Sequence, residues 1–293
     1  MNNKSIAHGR RILVLGAGGM LGNAVLRFFA ASSDYSVTGT VRSRAILDLF
    51  PANVRGCFVT GVDVENLDGL MRLFAATKPD VVINCIGLVK QLADAEDPLA
   101  AIPLNSLLPH RLARLCSVAG ARLIHISTDC VFSGKKGMYR ETDTSDAEDL
   151  YGRSKFLGEV DYPHAVTLRT SLIGHELNSA HGLIDWFLAR EGSVRGYECA
   201  VFSGLPTVEL ARVMRDFIIP RPQLHGVYHV AAQPINKCEL LKMVAMTYGK
   251  MIQIIPDKQV VIDRSLNADR FSAATGYQAP EWLELIKRMY EFH

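Results

Sequence analysis

Arg11-Ile12-Leu13-Val14-Leu15-Gly16-Ala17-Gly18-Gly19-Met20-Leu21-Gly22 is the stretch that decides the fold. Its first five residues lack the apolar-polar alternation of a half-exposed strand and read as a strand buried on both faces. The glycines then turn the chain into a segment from Met20 to Ala31, where Leu21, Val25, Phe28 and Phe29 recur at helical spacing. Gly16 permits a tight turn, Gly19 lets the backbone approach a pyrophosphate, and Gly22 lets helix pack closely on strand. Gly18 belongs to the same cofactor-binding loop, and the helix N-terminus faces the phosphates. The spacing is Gly-x-x-Gly-x-x-Gly rather than Gly-x-Gly-x-x-Gly. A strand before it and an amphipathic helix after it still give it the mechanics of a dinucleotide loop.

Outward from this stretch, strand and helix alternate to about residue 170. Strands are expected at 35–41, 56–62, 81–86, 122–126 and 165–168, with a helix over 102–119. Such alternation specifies a parallel sheet with right-handed crossovers. Ligands of such sheets collect beyond the carboxyl ends of the strands, where Gly16, Asp63, Cys85 to Gly87 and Thr128 all fall. The end of the second strand carries Arg42, with Arg44 close behind, where an NAD site places an acid. A guanidinium there suits a 2′-phosphate, so NADPH is the expected cofactor and NADH the alternative.

Beyond Thr170 the pattern is irregular. Helices are expected over 182–189, 207–219, 238–248 and 282–290, with a strand over 226–230. The expected fold is α/β: a Rossmann-type, doubly wound parallel sheet with a smaller C-terminal substrate-binding lobe. Residues 10–170 and about 204–233 form the dinucleotide domain, 171–203 and 234–293 the lobe, and 1–9 a disordered lead-in.

Tyr151 and Lys155, in Leu150-Tyr151-Gly152-Arg153-Ser154-Lys155, lie one turn apart on one helix face. Alone, such a pair is a solvated helix face. Downstream of a dinucleotide loop, and after a strand ending Ser127-Thr128-Asp129, it describes an acid–base site. A phenol with an ordinary pKa of about 10 is drawn toward neutral pH by a neighbouring ammonium. Lys155 can also hydrogen-bond the nicotinamide ribose, and the Thr128 hydroxyl can hold a carbonyl or alkoxide oxygen.

Composition narrows the alternatives. The chain has 293 residues, 48% of them hydrophobic, enough for a large core. A net charge of +2 is too balanced to imply nucleic acid as a partner. No run reaches the length of a membrane span, and the polar start lacks the apolar core of a signal peptide. Six cysteines without paired or metal-ligand spacing point to a cytoplasmic protein with reduced thiols and no metal site. A homodimer is an assembly open to it.

On these residues the chain resembles the extended short-chain dehydrogenase/reductases, and among them the dTDP-4-dehydrorhamnose reductase group of nucleotide-sugar 4-ketoreductases. The resemblance rests on Gly16-x-x-Gly19-x-x-Gly22, Asn105 and His125-Ile126-Ser127-Thr128-Asp129-Cys130-Val131-Phe132. It continues through Tyr151-x-x-x-Lys155, Gly158-Glu159, Arg169-Thr170-Ser171 and Pro206-Thr207. It implies NADPH-dependent reduction of the 4-keto group of a nucleotide-diphosphate-linked sugar, with Thr128, Tyr151 and Lys155 as the catalytic trio and Tyr151 and Lys155 also binding the cofactor. Met20 and Leu21 then line the pyrophosphate, Asp63 and Val64 face the adenine, and Cys85, Ile86 and Gly87 pass under the cofactor, with Asn105 beside them. Lys90, Thr128 and Asp129 are placed on the sugar, and Arg270 on its diphosphate.

Departures from the family pattern leave other readings open. The usual Asn-Ala-Ala-Ala-Tyr-Thr segment is here Asn84-Cys85-Ile86-Gly87-Leu88-Val89-Lys90, so the sugar need not be the rhamnose precursor. Cys130 stands where related dehydratases carry a catalytic Glu, so dehydration is not expected. In reductoepimerases of this superfamily a Cys at this place works with a His at a later helix start, here His181. The alternatives are therefore a reductoepimerase using Cys130 and His181, or a non-catalytic NADP-binding sensor or regulatory subunit. A simple epimerase with tightly held NAD is opposed by Arg42.

Overall fold

The structure, a computed structural model, describes residues 9–88 and 96–293. The expected lead-in (bar Gly9) and Lys90 lie outside the described residues. β1 (Arg10–Leu15) runs into α1 (Met20–Ala30) and β2 (Tyr35–Val41). After two 3-10 turns come β3 (Phe58–Thr60), α2 (Leu67–Thr77) and β4 (Val81–Asn84). α3 (Pro98–Ala101), a π turn over Ile102–Leu107 and α4 (Leu108–Ala119) form one helical run leading to β5 (Arg122–Thr128). α5 (Leu150–Leu157) then precedes β6 (Ala165–Thr170).

The second half carries β7 (Leu172–Ile173), α6 (Leu183–Leu188), β8 (Ser193–Tyr197), β9 (Ala200–Phe202) and β10 (Leu205–Pro206). α7 (Thr207–Val213), prolonged by a π turn, leads to β11 (Gly226–His229), β12 (Ile235–Asn236) and α8 (Lys237–Tyr248). β13 (Gln253–Asp257), β14 (Ile262–Asp263), α9 (Asp269–Thr275) and α10 (Trp282–Phe292) complete the chain.

Seven strands form one parallel sheet in the order β11-β6-β5-β4-β1-β2-β3. The order runs outward in both directions from β1 and β4, which makes their carboxyl ends the switch point where such sheets open a crevice. Alternate residues of a strand face opposite sides, and the core follows this rule. Ile12, Val14, Ile83, Ile124 and Ile126 join α1 and α7 on one face. Leu13, Leu15, Val82 and Leu123 join α2 and α4 on the other. Each fully buried aliphatic side chain contributes about 1.5–3 kcal/mol, so both helical layers are fixed to the sheet. The apolar run 11–15 thus reads as it does because β1 is covered twice.

The remaining strands form small sheets in which β8 pairs with β13 and β9 lies between β12 and β14. Residues 193–202 are therefore joined to 235–263, while β11 returns to the main sheet beside β6.

Several boundaries differ from the sequence expectation for local reasons. The third strand shrinks to Phe58–Thr60 because residues 52–57 coil into a 3-10 turn in which Arg55 Nε donates to the Phe50 carbonyl (3.0 Å). The helix expected from 102 begins at Pro98, where the Asp97 carboxylate accepts from Leu99 N–H at 2.9 Å. Pro103 offers no N–H to that helix, and the register loosens into the π turn there. β8, β9, β13 and β14 escape local pattern reading because their partners lie far along the chain.

Candidate active site

The glycine loop is tied to β2. Gly16 N–H donates to Thr40 Oγ1 (3.2 Å) and Ala17 N–H to the Thr40 carbonyl (3.0 Å). Gly16 has φ +80°, a left-handed conformation that favours glycine. A Cβ on Gly22 would strike the Gly16 carbonyl, so helix and loop meet at backbone distance. At Gly19 the nearest atom to an added Cβ is the Gly16 carbonyl oxygen at 3.6 Å, which leaves the face of the loop open. α1 has no acid in its first turn and no side-chain cap, so the N–H groups of Met20 and Leu21 point outward unneutralised. A pyrophosphate fits this cradle. Arg42 and Arg44 are exposed just past the carboxyl end of β2, the strand next to β1. Asp63 follows β3 and accepts from Glu65 N–H at 3.0 Å, and Val64 packs partly on the core beside it.

Beyond β4, the Asn84 Oδ1 accepts from Ile86 N–H (3.1 Å) and shapes the turn through Cys85, Ile86 and Gly87. Asn105 clamps the next residue from both sides: its Oδ1 accepts from Leu88 N–H (2.8 Å) and its Nδ2 donates to the Leu88 carbonyl (3.1 Å). The same Nδ2 donates to Ser154 Oγ at 3.2 Å, linking this turn to α5. A Cβ added at Gly87 would lie 3.5 Å from Asn105 Oδ1 and 3.7 Å from Lys155 Nζ. The residues assigned to the cofactor's underside therefore converge on the lysine. Burial pushes the Cys85 thiol up to about 12, against the pull of Lys155.

α5 is capped by Asp149, whose carboxylate accepts from Gly152 N–H at 2.7 Å. Its inward face carries Tyr151 and Lys155. Lys155 Nζ, with only 4% of the residue exposed, donates to the Ile126 carbonyl at 2.7 Å. Burial lowers its pKa to about 8, partly offset by Glu159 and Cys85. Tyr151 does not follow the sequence expectation. Burial raises the phenol well above its ordinary value, with Cys130 and Asp129 adding to the rise and the Thr128 hydroxyl opposing it. The lysine ammonium donates to the Ile126 carbonyl, and burial keeps Tyr151 protonated. Thr128 donates to Asp129 Oδ1 (3.1 Å) and accepts from Cys130 N–H (3.1 Å). Burial raises the Asp129 pKa, opposed first by Arg264 and also by Thr128, Cys130 and Lys237.

Under this cluster lies a buried ion pair whose role the sequence did not reveal. Arg169 donates to both Glu159 carboxylate oxygens at 2.7 Å, and Ser127 Oγ donates to Oε1 at 2.7 Å. The Arg169 guanidinium also stacks over Phe132 at 5.1 Å and meets His229 Nε2 at 3.3 Å. The pair anchors the residue before Thr128 from beneath.

The lobe-side assignments fare differently. Cys130 is pushed up to about 12 by burial and by Asp129, so it remains a thiol. His181 is exposed and held through its backbone, its N–H donating to the Glu176 carboxylate at 2.7 Å. The two form no thiolate–imidazole pair. Arg270 is exposed and stacks on Tyr228 of the outermost strand β11, 4.7 Å from the ring centroid, away from the Thr128–Tyr151 cluster. Arg264, six residues earlier, instead reaches the turn after Thr128, its Nε donating to the Phe132 carbonyl at 2.8 Å. Neither Arg264 nor Lys237 was singled out by sequence; only the pairing of β12 and β14 with β9 brings them here. Among the described residues no cluster of acids, histidines and cysteines could hold a metal, and no helix is long and apolar enough to cross a membrane.

The chain matches the family described as the RmlD substrate binding domain across residues 10–291 and belongs to it. It is 28% identical over 254 residues to methionine adenosyltransferase 2 subunit beta of Danio rerio, covering 82% of this chain and 74% of that protein. It is 26% identical over 234 residues to dTDP-4-dehydrorhamnose reductase of Aggregatibacter actinomycetemcomitans, covering 76% of this chain and 74% of the relative. The fold is that of dTDP-4-dehydrorhamnose reductase from Bacillus anthracis, solved in complex with NADP. The TM-score is 0.81 at 19% identity, over 99% of this chain and all of that one.

Proposed function

We propose that this chain is an NADPH-dependent oxidoreductase that reduces the 4-keto group of a nucleotide-diphosphate-linked 6-deoxy sugar. The observation that carries the reading is the meeting of Thr128, Tyr151 and Lys155 at the carboxyl end of β5, across from the glycine loop. The bound nicotinamide supplies the hydride to C4. Tyr151, kept protonated by burial, gives its proton to the alkoxide oxygen that forms there. Lys155 is held beneath the cofactor's path by the Ile126 carbonyl and, as an ammonium, holds a ribose hydroxyl and the phenolate left after transfer. Thr128 binds the sugar oxygen by turning its hydroxyl from Asp129. Arg42 takes the 2′-phosphate of NADPH.

Methionine adenosyltransferase 2 subunit beta supports a second reading, a regulatory subunit on the same fold, because the likeness spans 82% of the chain. The reductoepimerase reading is weakened by the protonated thiol of Cys130 and the exposure of His181, since a proton shuttle needs a thiolate facing a ring carbon. The test is NADPH oxidation with UDP-, GDP-, CDP- and dTDP-linked 4-keto-6-deoxy sugars in D2O. Turnover without deuterium at C3 or C5 is the expected result. Ring deuterium that disappears in Cys130→Ser would restore the reductoepimerase. NADPH binding with no turnover of any member would favour the regulatory subunit.

A further inference from the structure

We propose that His229 is a positioning residue of the catalytic wall, acting through Arg169 and Glu159 on Ser127 and the adjoining Thr128. This rests on the function proposed above. His229 ends β11, the outermost strand of the sheet, opposite Arg169 on β6, yet it is fully buried. The segment 132–141 folds over it. Phe132 meets its ring edge to face at 5.9 Å, and the Glu141 carboxylate accepts from its backbone N–H at 2.8 Å. The two ring nitrogens have opposite duties. Nδ1 lies 3.0 Å from the Tyr139 carbonyl, which can only accept, so Nδ1 carries the proton. Nε2 then offers a lone pair, which accepts from Arg169 Nη1 at 3.3 Å. Burial and the Arg169 charge push the ring down to about 3, which keeps it in this neutral tautomer at working pH.

A histidine that stays neutral has no charge to contribute here, and its two hydrogen bonds fix orientation instead. Arg169 Nη1 has no other partner among the described residues, while Nε and Nη2 grip the two oxygens of Glu159 at 2.7 Å each. The imidazole therefore sets the rotation of the guanidinium, whose face lies over Phe132. Glu159 Oε1 is shared with Ser127 Oγ at 2.7 Å, so that rotation reaches the residue before Thr128. Glu159 also opposes the effect of burial on Lys155, four residues before it. The far end is tied to a distant segment. The Tyr139 carbonyl that takes the His229 proton also accepts from Asn267 N–H at 2.8 Å, and Tyr139 N–H donates to the Ser265 carbonyl at 2.9 Å. One run of contacts thus joins 265–267 to Thr128, and among the described residues each buried side-chain nitrogen and oxygen in it is paired. A buried polar network satisfied throughout specifies one arrangement.

Asparagine places its amide near Nδ1 and glutamine near Nε2, so two variants separate the two contacts. His229→Gln keeps an acceptor for Arg169, whereas His229→Asn keeps only the contact to Tyr139. The readout is NADPH oxidation with the 4-keto sugar that wild type reduces. There kcat should fall about tenfold in His229→Asn and less than about threefold in His229→Gln, with KM and NADPH affinity unchanged in both. Equal loss in the two variants, or none in either, overturns the inference. Ser127→Ala cuts the same run at its other end and reads it even where a His229 variant folds poorly. It should lower kcat about tenfold at unchanged KM, and adding His229→Asn should lower it no further. An unchanged kcat in Ser127→Ala, or additive losses in the pair, overturns the inference. Where wild type oxidises NADPH with no keto sugar, the proposed reaction falls, and the Arg169 Nε–H proton resonance decides the inference instead. Slow exchange of that proton in wild type and His229→Gln, with fast exchange in His229→Asn, supports it; equal exchange in all three overturns it.

Discussion

On the sheet side of the cleft, polar groups are held by one another: Lys155 by Ile126, Asn105 by Leu88 and Ser154, Ser127 by Glu159, and Glu159 by Arg169. On the lobe side, among the described residues, neither the terminal nitrogens of Arg264 nor Lys237 Nζ makes a hydrogen bond or ion pair, and His181 is exposed. The first wall is preorganised before anything binds, as a site for stabilising developing charge must be. The second holds fewer of its charged groups in place. On the function proposed above, chemistry is assigned to the sheet wall and substrate choice to the lobe wall, and each can be attacked separately.

The largest expected effect is on the sheet wall. Tyr151→Phe removes the proton donor and its contact with the Thr128 hydroxyl and should lower kcat by about 10²–10⁴-fold, while a fluorescence titration finds NADPH affinity unchanged. Glu159→Gln tests whether that wall is held from beneath. It leaves the Arg169 charge buried without its partner and should cost about 3–5 kcal/mol, read by urea denaturation; a loss under ~1 kcal/mol would mean that the pair anchors little.

A pH profile comes next. Lys155 is an ammonium below about 8 and an amine above it, because burial disfavours the charge. If the ammonium is the working form, kcat/KM is level below that value and falls as pH rises through it. A profile flat to about pH 10 would remove the charged lysine from the mechanism. At the cofactor's far end, Arg42→Ala should reduce the preference for NADPH over NADH by about tenfold, measured as the ratio of the two kcat/KM values. The smallest effect is expected at Cys130→Ser: a buried thiol that stays protonated cannot accept a proton from a ring carbon, so turnover should change less than about twofold.

The same division explains what the sequence made legible. The apolar run 11–15, the glycines and the Tyr151–Lys155 spacing are local patterns, and each states its own structural consequence. Gly158-Glu159 and Arg169 were visible as a motif, but their pairing needs α5 and β6 folded together. The Tyr151 pKa was misjudged because spacing on a helix says nothing of burial or of the carbonyl that occupies the lysine. Arg270 looked suited to a diphosphate by its place in the chain, yet it stacks on the outermost strand. Arg264 and Lys237 carried no signal at all, since nothing local links β12 to β14 across β9.

The most direct test compares wild type and Tyr151→Phe in parallel, following NADPH oxidation with a dTDP- or UDP-linked 4-keto-6-deoxy sugar and NADPH affinity in the same preparations. The account predicts oxidation by the wild type, its near-complete loss in the variant, and equal NADPH affinity in both. Equal rates in the two proteins, or tight NADPH binding without oxidation by either, would contradict it.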